Sequence, residues 1–196
     1  MDILPLLDEI RTIACNGLAF SENPYDRERY RRLLDIASSY YGQLLEVPAP
    51  EVRQRLAAEP GYITPKVVTV AAVFDGAGRL LLELRADDEQ WGLPCGFMEP
   101  NETPTQGVAR EVREETGLEV HPIQLVDVFS RQPDCRYGLF SVVKLVYLCK
   151  LIGGKLCLSH ECKDVRYWAI EQVSCWHEMH QIYARAAYTC WRKCKG

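Results

Sequence analysis

The hydrophobic period of the chain changes at Pro65, and that change limits what it can fold into. Before it, apolar residues recur at helical spacing. Leu6, Leu7, Ile10, Ile13 and Ala14 form one set, and Tyr30, Leu33, Leu34, Ala37, Tyr40, Tyr41, Leu44 and Leu45 form another. After it, Val67 to Phe74 is rich in β-branched residues and reads as a buried strand. Asp75-Gly76-Ala77-Gly78 reads as a turn and Leu80 to Leu84 as the returning strand. The pattern then predicts a helix over 103–116, strands over 125–130, 139–150 and 165–170, and a turn at Gly153-Gly154. A closing helix is expected from Trp176 to Cys194. The expected architecture is a helical region over 1–60 followed by a mixed α/β sandwich over 66–196.

Local signals punctuate the helical region. Asn16-Gly17 is expected to end the first helix, because both residues tolerate left-handed geometry. Asn23-Pro24 starts the second, with a cap residue followed by Pro at the first helical position. Val47-Pro48-Ala49-Pro50 breaks it, 50–58 reads as one more short helix, and Pro60-Gly61 and Pro65 mark the linker. The apolar stripe from Tyr30 to Leu45 is too wide for two helices to bury alone. It is expected to pack on the main domain or on a second copy of the chain, so a homodimer is expected.

Charge and composition narrow the partners. The 23 basic and 27 acidic residues leave a net charge of −4, which argues against tight nucleic-acid binding. A small anionic substrate would need a metal or a few well-placed Arg and Lys. The start, Met1-Asp2-Ile3-Leu4-Pro5, lacks the basic and apolar regions of a signal peptide, and no apolar run is long enough to span a membrane. A cytoplasmic location is expected, with the 9 Cys as reduced thiols. Two loose groups, Cys157/His160/Cys162 and Cys175/His177/His180/Cys190/Cys194, lack paired C-x-x-C knuckles, so a zinc site is disfavoured.

The segment richest in chemistry runs from Gly96 to Leu118. Thr103 is an N-cap, Pro104 occupies the first turn, Gln106 completes a capping box, and Gly117 suits the C-terminus. Glu111, Glu114 and Glu115 stand at i, i+3 and i+4 and share one face, beside a core face of Val108, Ala109 and Val112. Spacing alone leaves two readings open: a solvated helix salt-bridged through Arg110 and Arg113, or an oxygen-rich site for a hard divalent cation.

This segment resembles the Nudix box, G-x5-E-x7-R-E-U-x-E-E-x-G-U, where U is aliphatic. Gly96, Glu102, Arg110, Glu111, Val112, Glu114, Glu115, Gly117 and Leu118 fill its fixed positions. Trp91-Gly92-Leu93-Pro94 resembles the family's lead-in, although many members have Gly where this chain has Cys95. The resemblance implies an α/β/α sandwich with a mixed sheet. It also implies Mg²⁺ or Mn²⁺ held by Glu111, Glu114 and Glu115, with Glu102 and Arg110 orienting them. Glu161, before the strand at 165, is a further candidate ligand, and Glu99 a weaker one. Arg85, Arg131, Arg136 and Tyr137 are candidates for phosphate and base contact, and Trp91 and Phe140 for stacking. The N-terminal run Leu7-Asp8-Glu9-Ile10-Arg11, with Asn16-Gly17-Leu18 and Asn23 to Tyr30, resembles a dimeric bacterial branch that includes ADP-ribose and CDP-choline pyrophosphatases. The resemblance thus implies hydrolysis of a nucleoside diphosphate linked to a sugar or alcohol. A nucleotide-sensing module without activity and an RNA-processing enzyme are the alternatives.

Overall fold

The structure, a computed structural model, describes residues 3–57, 63–133 and 140–195. It divides into two compact units, residues 1–66 with 131–142 and residues 67–130 with 143–196.

In the first unit, α1 spans Leu4–Phe20, α2 Pro24–Leu45 and α3 Ala49–Ala57. Asn23 caps α2 by accepting the Tyr25 N–H at 2.9 Å. Leu7, Ala14, Leu34, Ala37, Tyr41, Val52 and Leu56 are buried together between the helices. The expected stop at Asn16-Gly17 does not occur, and α1 runs on to Phe20. Gly17 serves packing instead: a Cβ there would overlap the Tyr30 ring. A helical Gly costs conformational entropy, and the close approach of α2 compensates for it. Among the described residues no helix is long and apolar enough to cross a membrane.

In the second unit, save for the strand-end residues Lys66, Arg131 and Val142, β1 (Lys66–Val73), β4 (Cys95–Phe97), β5 (Leu118–Arg131) and β6 (Val142–Gly154) form a four-stranded sheet in the order β4-β1-β6-β5. A smaller sheet orders β3 (Trp91–Gly92), β2 (Leu80–Arg85) and β7 (Cys162–Trp168) as β3-β2-β7. The strands at 118 and 142 run further than their sequence patterns indicate, and Gly153-Gly154 ends β6 rather than standing apart as a turn. The two short strands β3 and β4 have no periodic signal of their own.

Both faces of the β1 layer are covered. Ala71 and Val73 pack with Val108 and Val112 of α4 (Pro104–Thr116). Successive residues of a strand face opposite sides, so Val70, Ala72 and Phe74 point the other way. Phe74 meets Tyr188 and Trp191 of α5 (His180–Lys195), with ring centroids 6.0 and 5.2 Å away. The domain is therefore an α/β/α sandwich. A Gly17→Ala substitution should cost about 1–3 kcal/mol, as overpacking does. Thermal or urea unfolding of the full chain checks it, and an unchanged midpoint would refute the packing role of Gly17.

Candidate active site

Helix α4 is fixed at both ends. The Thr103 N–H donates to Gln106 Oε1 at 2.8 Å while the Gln106 N–H donates to Thr103 Oγ1 at 3.3 Å. At the other end Gly117 adopts φ 71°, and its N–H reaches Arg113 O. With its rotation set, the helix turns Val108 and Val112 into the core and its glutamates toward the backbone of β4.

Each box residue then has a distinct partner. Glu115 is only 4% exposed and accepts the Cys95 N–H at 2.9 Å. The Glu111 carboxylate lies over Gly96, where a Cβ would overlap it; only glycine leaves that room. Arg110 binds Glu102 at 2.8 Å, Glu111 at 2.7 Å and Glu114 at 3.1 Å, and donates to the Phe97 carbonyl at 3.0 Å. Glu102 also accepts the Glu99 N–H at 2.7 Å. At Gly107 a Cβ would stand 2.8 Å from Glu102 Oε1. Arg110 therefore ties Glu102, Glu111 and Glu114 together, while Glu115 turns inward.

The inward side holds an acid that sequence reasoning missed. Glu83 of β2 is 2% exposed and accepts the Cys162 S–H at 3.0 Å, with Arg85 Nη1 4.0 Å from its other oxygen. Burial raises the Glu83 carboxyl above its ordinary range, and the charges of Glu161 and Glu111 add to this. Burial likewise raises Glu115, and Glu83, Glu111 and Glu161 push it further. Glu111 is raised by burial against the opposing pull of Arg110. The Cys162 thiol is pushed up to about 12 by burial and by Glu83. A lone acid inside Leu80-Leu81-Leu82-Glu83-Leu84 was the available signal, since a charge in a buried strand needs a reason.

The other candidates fall out unevenly. Glu161 precedes β7 with its side chain largely in solvent, and its charge reaches Glu83, Glu111 and Glu115. Glu99 is exposed. Arg85 is held by Asp87 at 2.7 and 3.0 Å. Trp91 packs edge-on against Trp168, centroids 5.2 Å apart. Arg131 belongs to the first unit and donates to Gln132 O at 3.3 Å. Phe140 lies under Arg11 and Lys66 in that same unit. Arg136 and Tyr137 lie outside the described residues. The three ligand atoms of His177, Glu178 and His180 lie within 4.8 Å of one another, a grouping the box glutamates do not make among the described residues.

The residues present suit a hard divalent cation. Glu111, Glu115 and Glu83 are oxygen donors in a buried space with mutual repulsion to relieve, and Glu114 and Glu161 stand at its rim.

Residues 64–189 match the family described as the NUDIX domain, and residues 1–56 match one described as a UDP-X-like, N-terminal oligomerisation domain. The chain is 38% identical over 150 residues to YjhB of Bacillus subtilis (strain 168), by name a candidate ADP-ribose pyrophosphatase; the match covers 74% of this chain and 70% of that one. It is 31% identical over 115 residues to an ADP-ribose pyrophosphatase of Methanocaldococcus jannaschii, covering 57% and 66%. A crystal structure of a UDP-X diphosphatase aligns over 100% of this chain and 96% of that one, with 27% identity and a TM-score of 0.59.

The raised carboxyls give the metal-free protein a pH signature. A carboxyl raised in the fold keeps its proton where the unfolded chain has lost it. The folded state then binds more protons, and stability falls as pH climbs above the ordinary value of 4.5. In EDTA, the melting temperature should drop between pH 6 and pH 9, and Glu115→Gln should flatten that slope. A slope unchanged by the substitution would show that Glu115 is not the group responsible.

Proposed function

The chain belongs to the Nudix family, and on that footing we propose a divalent-metal-dependent pyrophosphohydrolase acting on nucleoside diphosphates linked to a sugar or alcohol. The observation that carries it is the seating of Glu111 and Glu115 on the β4 backbone. It brings two carboxylates of one helix against a third, Glu83, in a space too dry for uncompensated charge. We assign cation binding to Glu111, Glu114 and Glu115, with Glu161 as a further ligand from the rim. Nudix hydrolases generally use divalent ions, and Mg²⁺ or Mn²⁺ suits these oxygens. Bound there, the cation would neutralise the phosphate oxygens of the pyrophosphate and stabilise the leaving phosphate.

The chain's own residues prepare that reaction. Glu102 holds Arg110, and Arg110 holds Glu111 and Glu114, so the outer carboxylates are oriented before substrate arrives. We assign the proton of the attacking water to one of the box glutamates or to Glu161, whose charge reaches Glu111 and Glu115. ADP-ribose and CDP-choline are the leading substrates. The ADP-ribose pyrophosphatase of Methanocaldococcus jannaschii supports the first, and the UDP-X diphosphatase that matches along the whole chain supports the broader class.

One assay tests cofactor and class together. With Mg²⁺ or Mn²⁺, kcat/KM should favour ADP-ribose, CDP-choline or a UDP-linked sugar over a nucleoside triphosphate. EDTA should abolish turnover, and Glu114→Gln and Glu115→Gln should each lower kcat about a hundredfold or more. Full activity in EDTA would reject the metal role. A triphosphate preferred tenfold, about 1.4 kcal/mol, would reject the substrate class.

We further propose a homodimer built through the helical region. Ile36, Tyr40 and Leu44 of α2 are 41%, 48% and 41% exposed at successive i, i+4 positions, an apolar stripe facing outward. The match to an oligomerisation domain covers that helix. Light scattering should show a dimer at micromolar concentration, and the double change Tyr40→Glu and Leu44→Glu should yield a folded monomer. A wild-type monomer, or an unaltered dimer in the variant, would overturn the assignment.

A further inference from the structure

The tail of the chain is laced onto the segment that leads into the box. The Trp91 N–H donates to Cys175 O at 3.0 Å, and the His177 N–H returns to Trp91 O at 2.9 Å. His177 Nδ1 lies 2.6 Å from Asp88. Glu178 takes a left-handed φ of 42°, a strained setting for a non-glycine residue, and ion-pairs with buried Lys144. The lacing brings in His180, the first residue of α5, which is wholly buried. Its Nδ1 accepts the Leu93 N–H at 2.9 Å. Gly92 makes room for the ring, since a Cβ there would stand 3.0 Å from that nitrogen.

Three consecutive residues are thereby fixed by three different elements. The Leu93 N–H is taken by His180 of α5. The Pro94 carbonyl accepts the Ala71 N–H of β1 at 2.8 Å. The Cys95 N–H is given to Glu115 of α4 at 2.9 Å. One peptide unit beyond, Gly96 carries the Glu111 carboxylate. A backbone N–H aimed at a carboxylate keeps its direction only if the peptide plane is held, and the two bonds upstream hold it.

We propose that His180 is a positioning residue for the metal site, acting through Leu93 and Cys95 on Glu115. This rests on the metal-binding role proposed for the box. An acceptor at Nδ1 must carry its proton on Nε2 when neutral. Deep burial favours the neutral ring, and nearby Lys144 adds to that. The same tautomer rules His180 out as a ligand in a His177–Glu178–His180 metal centre, because Nε2 is protonated and Nδ1 is engaged.

The test is Mn²⁺ affinity, read by electron paramagnetic resonance on the full chain without substrate. Asn can place its oxygen near the Nδ1 position, while Leu is close in volume to His but accepts nothing. A volume-filling role would therefore spare His180→Leu and harm His180→Asn. Positioning predicts the reverse: His180→Leu should bind Mn²⁺ about tenfold more weakly or worse, as loss of an outer-shell partner does, and His180→Asn should recover most of it. Wild-type affinity in folded His180→Leu overturns the proposal. If wild type and Glu115→Gln bind Mn²⁺ equally, the metal role of the box fails instead. Should His180→Leu not fold, ¹⁵N NMR of the wild-type chain decides. Mg²⁺ should shift the His180 ring and the Leu93 and Cys95 amides with one midpoint; a His180 ring that stays put, or carries its proton on Nδ1, overturns the proposal.

Discussion

Burial of Glu115 against the Cys95 N–H is the interaction around which the acidic face of α4 is arranged. A carboxylate out of water needs a proton, several donors or a cation. Among the described residues Glu115 has one backbone donor, and Glu83 has one thiol with Arg85 at 4.0 Å. Arg110 serves the outer glutamates and Glu102. Among the described residues the inner acids are thus left short of positive charge, and the divalent cation proposed for this site would answer that shortage.

Holding that arrangement takes contributions from distant parts of the sequence. The capping box and Gly117 set the length and rotation of α4. Close packing at the C-terminal end is tight: at Gly117 a Cβ would meet Cys157 at 3.1 Å. β4 is too short to fix itself and borrows order from β1, through Val68–Phe97, Thr69–Gly96 and Val70–Cys95 pairs. The tail from Cys175 to His180 supplies the remaining bonds. Backbone geometry at a metal site is unforgiving, since an ångström of drift in an outer partner is felt by the ligands. A site assembled from α4, β1, β2, β4 and α5 is therefore rigid only when all five are packed.

The helical unit has a different economy. Its inner face is filled by aliphatic residues and Tyr41, and Arg11, fully buried, is paired with Asp8 at 3.3 Å and lies over the Phe140 ring. Its outer face keeps Ile36, Tyr40 and Leu44 in solvent, an arrangement that suits association more than solitary stability.

The sequence by itself determined the fold class, the acidic helix and its caps. These depend on neighbours two to four residues apart: Thr103 with Gln106, Glu111 with Glu114 and Glu115, Asn23 with Tyr25. Their physics is local, so spacing displays it. Three things were decided only by the tertiary structure. Gly17 looked like a helix end because its left-handed freedom is legible, whereas the ring of Tyr30 that needs its bareness is thirteen residues away. Glu83 and His180 carried no motif. Each matters because of what lies beside it, Cys162 and Glu115 for one and Leu93 for the other. Which buried groups become neighbours is settled by sheet order and helix docking, and no periodicity along the chain records that.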